Sequence, residues 1–295
     1  MIEERVLCGG LQFPEGPSFD AAGNLYVAEI AAGRITRIDR EGNKELVSEL
    51  GGGPNGTAFG PDGSLYVMNN GGLTFANGRP AGIIAGSKGG RIERVAPNGR
   101  SSVLYTEFEG RPLQAPNDIA FDAAGGFYFT DSQHGTRQSR PFGQIYYCIP
   151  EKESIALAAD RLQLPNGIAV SADGRSLVAV ETIPRLVIRF DILRPGVMGE
   201  KQVVACLPDG CLPDGIALDT DGNIICAGLG LGVIIAVNTT GEVVRRIKME
   251  CTDPTNLAFG GPQHRTLYVT EGVLGRVVTI DWPVRGASLA TGLGV

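Results

Sequence analysis

Six times along the chain a proline is followed by a residue whose side chain carries oxygen: Glu15, Asn55, Asn117, Asn166, Asp214 and Thr255. Two carboxylates, three amides and a hydroxyl, with no thiolate or imidazole among them, make a hard donor set. Brought to one place, Glu15 and Asp214 would repel each other unless a cation or a proton compensated. One divalent ion balances two carboxylates. Oxygen donors suit calcium, magnesium or manganese better than zinc, and amides mixed with carboxylates match the roughly six-to-eight-fold coordination of calcium. One divalent metal, with calcium first and zinc, manganese and magnesium open, is therefore the expected cofactor. A single Pro-Asn-Gly or Pro-Asp-Gly is an ordinary turn. The repetition, and the presence of Glu15, a poor turn former, argue for a site.

Each proline opens a longer phrase. It reads PEGPSFDAAGNLYVAE from Pro14, PNGTAFGPDGSLYVMN from Pro54 and PNDIAFDAAGGFYFTD from Pro116. It returns as PNGIAVSADGRSLVAV from Pro165, PDGIALDTDGNIICAG from Pro213 and PTNLAFGGPQHRTLYV from Pro254. The prolines are 40, 62, 49, 48 and 41 residues apart, the size of one four-stranded propeller blade. Alternating β-branched and aromatic residues read as strands, four to a unit: residues 17–19, 24–29, 34–39 and 44–48 in the first. The 43 glycines and 18 prolines supply the turns. The expected fold is all-β: one domain over residues 1–295, a six-bladed β-propeller of four antiparallel strands per blade. The sixth unit ends near Asp281-Trp282-Pro283 without a fourth strand. Residues 4–7 are expected to supply it, closing the ring and removing an open sheet edge. All innermost strands then start on one face, and the six oxygen-bearing residues meet at one channel mouth.

Loops between second and third strands share that face. Two are long, 69–89 and 132–142, and loops of that length are usually functional. They would bring Asn69, Asn70, Phe75, His134 and Arg137 around the metal, with Arg185 from the corresponding loop of the fourth unit. His134 and Arg185 are candidates for substrate binding, though a lone loop histidine or surface arginine is most often simply solvated.

Bulk properties bound the partners. The net charge of −6 argues against nucleic acid. No apolar run reaches the ~20 residues of a membrane helix. Met1-Ile2-Glu3-Glu4 does not begin a secretory signal. The six cysteines form no C-x-x-C pair and read as reduced, packed thiols, which suits a cytoplasmic protein. Oligomeric state is left open.

The phrases resemble the senescence-marker-protein/gluconolactonase/luciferin-regenerating-enzyme family. The resemblance covers all six repeats and is most specific at Pro-Glu-Gly 14–16, Pro-Asn-Asp 116–118, Pro-Asn-Gly 165–167 and Pro-Asp-Gly 213–215. It implies Glu15, Asn166 and Asp214 as core metal ligands, with Asn117 as a fourth ligand or a contact to substrate. It also implies a substrate-binding place for Asp118. Asn55 has three readings: metal, substrate or turn. Thr255 is expected to line the pocket. The activity implied is metal-dependent hydrolysis of a small-molecule lactone, sugar or otherwise, with Asp214 as general base and Glu15 as the alternative. No G-x-S-x-G elbow supports a serine hydrolase. Phosphotriester hydrolysis at the same metal, and a non-catalytic binding propeller, are the competing readings.

Overall fold

The computed structural model describes residues 4–133 and 142–287. The first blade is Pro14–Phe19, Leu25–Glu29, Arg34–Ile38 and Lys44–Glu49, paired antiparallel in chain order. The inner strands of the next five blades are Pro54–Phe59, Pro116–Phe121, Pro165–Val170, Leu212–Leu218 and Pro254–Gly260. Each leads a sheet of at least four strands, so the six repeated phrases are six blades of a β-propeller. Among the described residues the only helices are two short 3₁₀ turns, Pro150–Lys152 and Pro262–His264.

The ring closes through the N-terminal strand Glu4–Cys8, which pairs with Arg276–Asp281 as the outer strand of the sixth blade. Glu4 stands opposite Ile280 and Val6 opposite Val278. The 277–280 stretch is thereby hydrogen-bonded on both sides, and no open edge is left there.

The core lies between blades. Second and third strands are buried on both faces: Val27, Ile35, Val67, Phe129, Ile188, Ile235 and Val278 are fully enclosed. Blade faces pack on one another as stacked sheets, so these strands read as continuous apolar runs. Aromatic edges weld the seams, as where Tyr66 meets Phe121 at 5.1 Å between ring centres. Five of the six cysteines are buried and all six are free thiols.

The start of every inner strand carries a register shift, between Glu15 and Ser18 in the first blade and between Pro254 and Asn256 in the last. The same irregularity occurs at Pro54/Thr57, Pro116/Ile119, Pro165/Ile168 and Pro213/Ile216. A bulge re-aims side chains and commonly lies beside a site. Here all six lie at one end of the channel. Glycine follows because the inner strands nearly touch. A Cβ on Gly56 would lie 2.5 Å from the Asn117 carbonyl oxygen, and one on Gly167 would lie 2.5 Å from that of Asp214.

Candidate functional site

Hydroxyl groups fix the ring of bulges from behind. Thr57 Oγ1 donates to the Gly16 carbonyl at 2.6 Å, Thr130 Oγ1 to Asn166 at 2.9 Å and Thr182 Oγ1 to Pro213 at 2.7 Å. Thr255 does the same, donating to the Pro14 carbonyl at 2.8 Å. It is completely enclosed, which corrects the expectation that it lines the pocket. Its side chain bonds across the seam between the sixth and first blades.

A second set of side chains tethers the chain just ahead of four of the six bulges. Glu29, wholly buried, accepts from the Gln12 amide at 2.7 Å, from Arg34 and from Thr36. Asp131 accepts from the Gln114 and Ala115 amides at 2.9 and 2.7 Å, and Glu181 from Gln163 at 2.7 Å. Asn69 holds Gly53 in the second blade and donates to Glu93. Asn69 is thus a buried strut, against the expectation that it stands around the metal.

At the axis the structure brings together Glu15, Asp118 and Asp214, all buried. Burial pushes the Glu15 carboxyl up to about 8, with a smaller push from the charge of Asp118. Burial likewise lifts Asp118 to about 7. Asp214 is driven well above the ordinary carboxylate range by burial and then by Glu15. The Asn166 amide bonds Asp214, and the Asn256 amide bonds both Glu15 and Asp118. The Gly16 amide donates to Glu15 at 2.9 Å and the Ile119 amide to Asp118 at 2.9 Å. Asn55 is buried, and its Oδ1 has no hydrogen-bond partner among the described residues. Asn117 is half-buried at the mouth.

These residues fit a divalent cation. Three carboxyl groups disfavour one another's charge in a dry place, and an amide oxygen beside them lacks a donor. Among the described residues no three His, Cys, Asp or Glu side chains stand as a ready ligand set. Amide oxygens would have to complete the shell, as in oxygen-only sites for hard cations. Glu15, Asn55, Asn117, Asn166 and Asp214 are the groups available.

Asn256 is the member that the position after proline does not reveal. It lies one residue further on, where four other phrases have glycine. Asp118 takes the same position in the third blade, diametrically opposite in a ring of six. The departure from glycine at this position was its sequence signal.

One wall of the mouth comes from far away in the chain. The hairpin Leu73–Ala76 and Arg79–Ile83 leaves the second blade and reaches the sixth. There Arg79 pairs with Asp253 and donates to Thr252. Phe75 rests on Phe13 with ring centres 5.2 Å apart. Arg185 is paired with Asp209 at 2.6 Å and also donates to the Leu207 carbonyl. His134 and Arg137 lie outside the described residues.

A family model described as SMP-30/Gluconolactonase/LRE-like region matches residues 13–272. Lactonase drp35 of Staphylococcus saprophyticus is 29% identical over 252 residues, 83% of this chain and 72% of the relative. Diisopropyl-fluorophosphatase of Loligo vulgaris is 29% identical over 297 residues, 92% of this chain and 90% of the relative. Among solved structures, a gluconolactonase from Xanthomonas campestris superposes with a TM-score of 0.78 at 21% identity, covering 96% of this chain and 90% of that one. A calcium-binding regucalcin from Agrobacterium tumefaciens gives 0.78 at 21%, covering 97% and 95%. At these identities the structural likeness speaks for the fold.

Proposed function

The chain belongs to the SMP-30/gluconolactonase/LRE-like family, and from that premise we propose that it is a divalent-metal-dependent lactonase. The observation that carries the reading is the buried, mutually repelling trio Glu15, Asp118 and Asp214 beside the unpartnered Asn55 Oδ1. Relatives named as lactonases supply the reaction class. Calcium is the preferred ion on the chemistry of the donors.

Glu15, Asn166 and Asp214 would hold the ion, with Asn117 and Asn55 completing its shell or facing substrate. When bound, the cation supplies charge balance and Lewis-acid polarisation of a carbonyl oxygen. The remaining steps belong to the chain. Ionised Asp214 takes a proton from the attacking water as its oxygen bonds the lactone carbonyl carbon. The ring C–O bond then breaks, and the same proton returns to the departing alkoxide, leaving a hydroxy acid. Asn117, half-buried at the mouth, would donate to the substrate. Asp118 and Asn256 form the floor that keeps bulk water of the lower channel from the reacting atoms.

Apolar side chains rim the mouth. Phe13 and Phe75 pack with their rings tilted by 54°, and Ile183, Leu212, Val273 and Leu274 are each more than a third exposed. This surface favours a lactone with an apolar ring or alkyl substituent over a heavily hydroxylated one. The test is a lactone panel followed by proton release in calcium. An alkyl-substituted γ-lactone should show higher kcat/KM than a sugar lactone. A chain that opens no lactone contradicts the proposal. The squid relative favours one second reading, phosphotriester hydrolysis at the same centre. Fluoride release from a fluorophosphate without any lactone opening would favour that reading instead.

A further inference from the structure

The axial channel has a second mouth, on the face opposite Glu15. Below Asp118 and Asn256 it opens into a cavity of about 400 Å³. The fifth residue of each repeated phrase lines it: Ser18, Ala58, Ala120, Ala169, Ala217 and Ala258. Small side chains at every inner strand leave a bore that larger ones would fill. Its volume lies in the range of small-molecule sites, roughly 300–1,000 Å³, which are mostly apolar with few polar groups.

The two ends of the cavity differ in charge. The inner end is the Asp118 carboxyl and the Asn256 amide. At the outer end Arg40, Arg265 and Arg285 line an adjoining space that shares Arg40, Gly261 and Pro262 with the bore. All three arginines are exposed. Among the described residues none of them forms an ion pair with a carboxylate. In a chain of net charge −6, three unneutralised cations around one opening create a local field for an anion. His264 also lines the bore, with its Nδ1 on the Gly286 carbonyl at 3.1 Å.

We propose that this lower cavity binds a small amphipathic anion, a carboxylate bearing an apolar tail. The carboxylate sits against Arg40, Arg265 and Arg285, and the tail enters the alanine-lined bore. The arginines stand only at the outer end, and among the described residues no cation lines the inner end beside Asp118 and Asn256, so the head stays outside and the tail enters first. The site is distinct from the metal mouth and does not depend on the lactonase reading.

The probe is decanoate below its micellar range, titrated calorimetrically into the full chain at low salt. One equivalent should bind. Butyrate, which lacks the tail, and decanol and decyltrimethylammonium, which lack the negative head, should bind at least tenfold more weakly. Arg265→Glu with Arg285→Glu lies wholly on the exposed rim and should weaken decanoate on the order of tenfold, the sum of a few exposed charge contacts. Ala169→Leu should weaken decanoate more than butyrate by narrowing the bore. No binding by decanoate, equal binding by the cationic analogue, or indifference to the double arginine replacement would overturn the proposal. Binding confined to anionic vesicles would overturn it in favour of a membrane surface. Binding confined to a chain ending at Ala287 would do so by making residues 288–295 the occupant.

Discussion

At the level of single residues, the chemistry rests on carboxyl groups placed where charge is unwelcome. Asp214→Asn keeps an oxygen at the axis but removes the proton acceptor. At saturating calcium kcat should fall by roughly 10²–10⁴-fold, the usual worth of a general base. Turnover near the parent rate would move that role to Glu15. Thr255→Ala makes the opposite kind of variant. It leaves the Pro14 carbonyl without its donor, so stability should drop by roughly 1–3 kcal/mol in urea denaturation while kcat at saturating calcium is kept. The sequence reveals most of this cluster, because a ring of carboxylate, amide and hydroxyl at equivalent points of a repeat has no structural necessity. Asn256 escapes such a reading because it sits one place beyond the position being compared. The role of Thr255 escapes it because a hydroxyl serves a pocket or a backbone carbonyl equally well, and only the neighbouring blade decides.

At the level of elements, the bulged strand starts are held by buried acids at the ends of the second strands. Burial pushes the Glu29 carboxyl up, but Arg34, Thr36 and the Gln12 amide overcome this and hold it below its ordinary value. A lowered value contributes stability above the unfolded value near 4.5, and that contribution is lost as pH falls through the folded one. Glu29→Ala leaves the Gln12 amide and the partly exposed Arg34 without their acceptor and should cost roughly 1–3 kcal/mol. A loss below ~1 kcal/mol in urea denaturation would refute the tether. These acids were passed over in the sequence, although Glu29, Asp131 and Glu181 recur at the same point of the repeat. The partners of the hairpin Leu73–Ala76 and Arg79–Ile83 were not legible there. Arg79 meets Asp253 across 174 residues, and no local pattern encodes a contact of that span.

At the level of the whole molecule, blade count and closure could be read directly, because a repeat that lacks its fourth strand at one end and has a spare strand at the other admits one economical solution. That strand, Glu4–Cys8, covers the outer side of Arg276–Asp281, so deletion of residues 1–8 should lower the thermal midpoint and promote association through the exposed 276–281 strand. An unchanged midpoint and a monodisperse sample would contradict this. The metal-free propeller should also respond to pH in a defined direction. Glu15 rises from 4.5 to about 8 and Asp118 from 3.8 to about 7 on folding. Between those limits the folded chain binds more protons than the unfolded one, so metal-free stability is greatest near pH 4 and falls as pH rises toward 8. Calcium, which competes with those protons, should reverse the trend and stabilise most at the alkaline end. The most direct measurement of the central claim follows lactone ring opening by proton release in one sample through chelation and refilling. Turnover should be present with calcium, vanish on chelation and return when calcium is restored at about one equivalent per chain. Undiminished turnover in a chelated sample shown by elemental analysis to hold no divalent ion would contradict it.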